Sequence, residues 1–410
     1  MQVKKSIQKN QPEVIKKKSK IKVAFFSDIL VRDFDGANKT MFQLIDRIPE
    51  SEYNYLFFCG MSSKNKMRHL IREIPTMTIP YNHTYKLALP HFRKAELITV
   101  LSMFQPDVIH IATPSSLGFF ALNYAKKQGI PVLSIYHTHF ISYIKYYLKN
   151  LPFLINFTEA VIARTYRKFY NKCDLTYIPT HQIAKELEAH GVSPQNFKLW
   201  QRGINTSLFS PDKRDRAFIK RLTHNDYPSI LFASRLVWEK NLETLFAIYD
   251  RVQVLGLKVN FLVAGNGVAE EDARARMKDA FFFGFLPHET LAKVYASSDI
   301  FLFTSVSESY GNVVIEAMAS GCVPVIARGG GSQALVDDGI TGFLCNPDEP
   351  DDYIEKIKKL LDNYPLRKKM QFEGLEFTST LDWESLAKVY FNDIKYLAHY
   401  SESLQKVAAI

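Results

Sequence analysis

Short, wholly apolar runs recur along this chain in two successive series, each run followed by a small-residue loop and then by apolar positions at helical spacing. Runs without polar alternation are strands buried on both faces, and strands that alternate with helices build parallel sheets covered by helices on either side. The first series is predicted at residues 22–27, 55–59, 108–111, 132–136 and 175–178; the second starts at Ile230 and continues through Val259, Phe281, Ile300 and Val323. Between them, residues 200–216 carry Gly203 and Pro211 and read as an interdomain loop. The chain has 410 residues, room for two domains with a core each. The expected class is therefore α/β, with two parallel sheets whose carboxyl edges are the places for ligands.

One such edge stands out. After the run 300–304 the sequence TSVSESYGNVVIEAMASG places Glu308 in a loop and Glu316 about one turn inside a helix that begins near Gly311 and Asn312. The amides of Gly311, Asn312, Val313 and Val314 have no acceptors earlier in their own helix, so they form an anion site backed by the positive end of the helix dipole. Two fixed carboxylates on either side of a bound diphosphate can accept hydrogen bonds from vicinal diols. An amphipathic helix with two solvated glutamates is the plainer alternative. About seventy residues upstream, ILFASRLVWEKNLETL ends a strand at Ala233 and puts Arg235 and Lys240 around a turn, where guanidinium and ammonium can converge on one phosphate.

Together with VNFLVAGNG, in which Gly265 and Gly267 follow a strand, these segments strongly resemble the donor domain of the family 4 retaining glycosyltransferases. The resemblance runs from Lys22 to the C-terminal helix and is most specific between Leu231 and Asn346. It implies the GT-B fold, two facing Rossmann-like domains. After a basic flexible tail at 1–20, it implies an acceptor domain at 21–203, a donor domain at 204–385, and a helix at 386–410 that crosses back onto the first domain. By the same resemblance Glu308 contacts the transferred sugar, Glu316 holds the ribose, and Arg235 and Lys240 stabilise the diphosphate leaving group. Gly284, Phe285 and Leu286, in FFFGFLPHETL, line the nucleobase. Gly36, in ILVRDFDGANKT, belongs to the loop that approaches the diphosphate, although Ala37 replaces the second glycine of the common pair. His137, in SIYHTHF, matches a histidine that touches the donor sugar, a position His139 fits less well. Arg202 and Gly203 match a segment lining the cleft.

The implied activity is metal-independent transfer of a hexose, mannose or glucose, from a GDP- or UDP-linked donor to a lipid or lipid-linked glycan. A sugar-nucleotide epimerase of the same fold and a non-catalytic nucleotide-sugar-binding subunit are the alternatives. No cofactor is expected beyond the nucleotide-sugar substrate. Cys59, Cys173, Cys322 and Cys345 lack Cys-x-x-Cys spacing, and no His and Asp cluster suggests a metal.

Charge and apolar runs bear on location. The net charge is +10, of which residues 1–22 hold +7, so the body is nearly neutral. This basic tail is either a solvated extension or an electrostatic anchor for an anionic membrane. No nucleic-acid-binding module is recognisable. No apolar run approaches the roughly 18 residues of a span, and the N-terminus lacks the apolar core of a signal peptide, so a cytoplasmic protein is expected, peripheral on the inner face of the membrane if the anchor operates. Residues 140–174 combine aromatics with Lys145, Lys149, Arg164, Arg167, Lys168 and Lys172 against Glu159. The half nearest Cys173 reads as helices packed on the sheet, and residues 140–154 read either so or as an amphipathic surface at a lipid interface.

Overall fold

Strand β1 (Ile21–Leu30) is buried from Val23 onward, which places it in the middle of a sheet covered on both faces. In the computed structural model, which describes residues 19–32, 34–63, 68–79, 82–137 and 152–408, it pairs in parallel with β2 (Tyr53–Ser62) and with β6 (Val108–Ile111). With β3 (Leu70–Glu73), β7 (Val132–Ile135), β8 (Leu175–Ile178) and β9 (Phe197–Leu199) it makes a seven-stranded sheet ordered β3-β2-β1-β6-β7-β8-β9. Strands β4 (Thr76–Ile79) and β5 (Asn82–Ala88) form a separate antiparallel hairpin. Asp28, at the end of β1, ties this hairpin to the sheet by accepting from the Ala88 amide at 2.9 Å and the Thr113 hydroxyl at 2.9 Å.

The second sheet contains β10 (Ser229–Ala233), β11 (Asn260–Ala264), β12 (Phe281–Gly284), β13 (Ile300–Phe303), β14 (Val323–Ala327) and β15 (Phe343–Cys345), in the order β12-β11-β10-β13-β14-β15. All its pairings are parallel. The α/β class is thus as the sequence led us to expect, with one parallel sheet in each domain. Strand order reverses beside β1 in one sheet and beside β10 in the other. A crevice opens outside the carboxyl ends at each reversal, between β1 and β6 and between β10 and β13.

The hairpin and strands β3, β9 and β15 are additions to the expected pattern. Strand β3 is half exposed, and β9 and β15 are three residues each, so none carries an apolar run long enough to register.

The last helix, Trp383–Ala408, lies on the first sheet. Its Ala387, Tyr390, Phe391, Ile394, Leu397 and Ala398 share a buried cluster with Val23, Phe25, Tyr53, Tyr55 and Phe57. Polar contacts fix the register. Tyr390 Oη lies 2.8 Å from His110 Nδ1, Tyr53 Oη donates to the Phe391 carbonyl at 2.8 Å, and Lys198 pairs with Asp393 at 2.7 Å. The two crossings between the sheets run side by side, with the Ile204 amide donating to the Leu381 carbonyl at 2.9 Å. Gly203 packs there on the Trp383 ring so closely that a Cβ would stand 2.7 Å from it.

Candidate active site

Where β13 ends, the chain turns through Thr304, Ser305 and Ser307, all buried. Their hydroxyls explain the residue choice. Thr304 Oγ1 donates to the Lys240 carbonyl at 2.8 Å and Ser307 Oγ to the Glu239 carbonyl at 3.1 Å, which ties the Glu308 loop to the turn after β10. Along this seam Lys240 Nζ donates to Glu308 Oε1 at 2.5 Å, and Ser305 Oγ lies 3.3 Å from the same oxygen. Lys240 is almost wholly enclosed. Burial alone pushes the Glu308 carboxyl up, but Lys240, then Arg235 and the Ser305 hydroxyl, outweigh it and hold it below the usual glutamate range.

Arg235 is 65% exposed at the mouth of the crevice and donates to Glu239 Oε1 at 2.9 Å. The two cations expected around one phosphate are therefore each seated on a carboxylate, on different acids. Between them Trp238–Lys240 forms one 3-10 turn, Asn241 adopts a left-handed conformation with φ 54°, and the helix runs over Leu242–Val254.

The helix Asn312–Ala319 begins behind Gly311, whose φ of 97° suits glycine. No side chain caps it, so the amides of Asn312 and Val313 open toward the crevice. The expectation for Val314 is corrected: its amide donates to the Gly311 carbonyl at 2.9 Å, because the first turn tightens, and it is not available to an anion. Glu316, 8% exposed, lies under the same terminus. Burial raises its carboxyl above the ordinary range, partly offset by Lys39 and the Tyr295 hydroxyl.

A feature that sequence reasoning missed supports the Glu308 loop from below. Residues 329–331 are three consecutive glycines after β14. A Cβ on Gly331 would meet the Ser309 carbonyl oxygen at 2.1 Å and one on Gly330 the Val306 oxygen at 2.6 Å. The Gly331 amide donates to the Glu308 carbonyl at 2.6 Å. The three glycines were the signal, since only they allow two backbones so close.

The first domain faces this crevice directly. Gly36 opens the helix Gly36–Ile45, and a side-chain carbon on it would lie 3.5 Å from Asn312 Nδ2 and 3.6 Å from Arg202 Nη1. His137, just beyond β7, is 4% exposed. Its carbonyl accepts from Ser309 Oγ at 2.7 Å and Arg202 Nη2 at 3.3 Å, while Tyr310 Oη donates to the Arg202 carbonyl at 3.2 Å. Burial, with Arg202 and His110 nearby, drives the His137 imidazole far below its usual value, so it is neutral. Neither His137 ring nitrogen has a hydrogen-bond partner among the described residues, nor does Asn312 Oδ1. Buried polar atoms left this way are what a polyhydroxylated ligand satisfies. His139 lies outside the described residues.

The base-contacting candidates sit at the end of β12. Gly284 has φ 64° and open space around it, Phe285 is 75% exposed, and Leu286 packs on the second core. The structure thus gathers Gly36, His137, Lys240, Glu308, Gly311, Asn312, Val313 and Glu316 around one cleft, with Arg235 at its mouth and Gly284, Phe285 and Leu286 in the turn that ends the far strand. Lys39, singled out by nothing in the sequence, also reaches in: its Nζ lies 2.7 Å from His288 Nε2 of the other domain. Among the described residues no group of three His, Cys, Asp or Glu side chains is placed to hold a metal ion.

Comparison with known proteins agrees with this geometry. Residues 34–208 match the model of glycosyltransferase family 4, and residues 213–376 match that of glycosyl transferases group 1. The chain belongs to the family 4 glycosyltransferases. It is 31% identical to the sulfoquinovosyl transferase of Arabidopsis thaliana over 77% of this chain and 61% of that one, so it spans less than two thirds of that relative's length. It is 26% identical to a GDP-mannose-dependent alpha-mannosyltransferase of Mycobacterium tuberculosis, over 79% of this chain and 83% of that one. Among solved structures, sucrose-phosphate synthase from Thermosynechococcus elongatus superimposes with a TM-score of 0.74 at 20% identity, covering 92% of this chain and 99% of that one. The GT-B fold follows.

Proposed function

We propose that this protein is a retaining hexosyltransferase that moves mannose or glucose from a nucleoside-diphosphate sugar to a lipid or lipid-linked glycan, without a metal. One observation carries the reading: the Lys240–Glu308 pair and the open amides of Asn312 and Val313 meet at the strand-order reversal, facing His137 across the cleft. Breaking the anomeric bond leaves negative charge on the β-phosphate. Lys240, Arg235 and the helix amides are the groups that receive it, in a cleft where closure keeps out water that would hydrolyse the donor. Glu308 and the neutral His137 hold the sugar, and Glu316 holds the ribose hydroxyls. No enzymic nucleophile is assigned to the opposite face of the sugar. The acceptor oxygen attacks from the side the phosphate leaves, and that phosphate takes the acceptor's proton.

A lipid acceptor is supported by the helix Pro152–Tyr170. Its Ala163, Tyr166, Phe169 and Tyr170 are buried, while Phe153, Phe157 and Val161 form an exposed apolar stripe at four-residue spacing that continues into exposed Arg164 and Lys168. Apolar side chains at the interface with cations beside them suit an anionic lipid surface. No helix among the described residues is long and apolar enough to cross a membrane, so the proposed attachment is peripheral, on the cytoplasmic face. Residues 1–18 of the basic tail at 1–20, and most of the segment 140–154, lie outside the described residues.

The test is incubation with a panel of UDP- and GDP-linked hexoses, with and without lipid extract and with and without a chelator. Release of nucleoside diphosphate that depends on lipid, survives the chelator and gives an axial product from an axial donor is the expected result. Absence of any release across the panel, or an inverted product, refutes it.

A further inference from the structure

The cations around the crevice differ in what holds them. Arg235 and Lys240 each sit on a carboxylate, at 2.9 Å and 2.5 Å, and Arg202 is turned onto the His137 carbonyl and Ser309. Each of the two ion pairs is neutral as a unit, and Glu316 adds a further carboxylate beside the helix terminus. A nucleoside-diphosphate sugar brings two more negative charges into this space. Lys39 is held differently: its partner is the His288 imidazole, 2.7 Å away, not a carboxylate. It stands in the first turn of the helix Gly36–Ile45, its amide donating to the Asp35 carbonyl at 2.9 Å, on the domain opposite the donor site. His288 opens the helix that follows the turn 284–286, and the charge of Lys39 is felt at Glu316. The ammonium therefore lies on the ribose side of the crevice, between the candidate base turn and the candidate ribose carboxylate.

We propose that Lys39 is a donor-binding residue supplied across the cleft: its ammonium, which rests on His288, turns onto the diphosphate, on the ribose side, when a nucleotide sugar binds. The inference rests on the donor reading above. It adds a charge that the donor domain alone lacks, and it makes tight donor binding depend on the two domains being closed.

The experiment is equilibrium titration of the full chain with UDP and GDP, repeated on Lys39→Met, Lys39→Arg and His288→Ala, with thermal melts to verify folding. Lys39→Met is expected to weaken the preferred nucleoside diphosphate about tenfold, the scale of one lost charged hydrogen bond. Uridine or guanosine, which lack phosphates, change far less, and Lys39→Arg regains most of the loss. His288→Ala leaves the affinity intact or tightens it, because the ammonium is released to the phosphate. Lys39→Met binding as tightly as wild type overturns the inference, as does a His288→Ala loss as large as that of Lys39→Met, which makes the pair a structural latch only. Failure of wild type to bind either nucleotide is a different outcome, since it removes the donor reading itself and the inference with it.

Discussion

At the scale of single residues the site rests on two ion pairs, each neutral as a unit. Lys240 and Glu308 are joined before any substrate arrives, so the lysine is aimed and the glutamate is kept ionised in a largely buried position. Lys240→Ala is expected to lower turnover roughly 10²-fold, the cost of losing one preorganised donor to the leaving phosphate, with a smaller effect on donor affinity. Steady-state kinetics with varied donor check this, and unchanged turnover contradicts the role. The two glutamates separate by a different measurement. Glu308→Gln is expected to impair transfer while leaving nucleoside diphosphate affinity near normal, whereas Glu316→Ala weakens that affinity by about 1 to 3 kcal/mol. Titration of both variants with the free diphosphate reads the difference. The Glu308 pair also has a sign in pH. Its folded value lies below the ordinary 4.5, so it contributes stability above that value and loses it as pH falls through the folded one. Melting temperature should therefore drop less steeply as pH falls below about 4.5 in Glu308→Gln than in wild type, and identical slopes there count against it.

At the scale of elements the Glu308 loop is a layer between the turn after β10 and the glycines after β14. Gly331→Ala puts a methyl group 2.1 Å from the Ser309 carbonyl oxygen, so the loop must move. We expect transfer to fall at least tenfold while the protein stays folded, losing about 1 to 3 kcal/mol by denaturant titration. Full activity in this variant means the loop's position is not what sets the chemistry. The strands of both sheet centres and the helix after Gly311 were legible because each is a buried apolar run or a glycine-started helix, patterns that survive without any tertiary information. Glu308 and Lys240 could be singled out, but not their contact: a 68-residue separation is closed only by the parallel pairing of β10 with β13. Arg235 read as a partner of Lys240, and the structure hands it to Glu239 because the intervening 3-10 turn brings that carboxylate to the guanidinium. Lys39 carried no signal, since a lysine on an amphipathic helix is ordinarily solvated. Its place depends on how two domains face each other.

At the scale of the whole molecule the C-terminal helix is part of the first domain's core. Tyr390 is the joint, its hydroxyl meeting both His110 at 2.8 Å and Tyr55 at 3.3 Å. Tyr390→Phe leaves the buried His110 Nδ1 without its partner and should cost about 1 to 3 kcal/mol, read as a lowered urea midpoint with an unchanged slope. A midpoint equal to wild type implies that water replaces the hydroxyl.

The same helix sets an order of construction. One face of the first sheet, with Val23, Phe25, Tyr53, Tyr55 and Phe57, is covered in part by residues made after the second sheet, from Trp383 onward. The second sheet, with its helices, is synthesised entirely between these two parts. During synthesis the first sheet therefore keeps part of an apolar face uncovered while the second sheet completes its own core. The first sheet is begun before the second and finished after it.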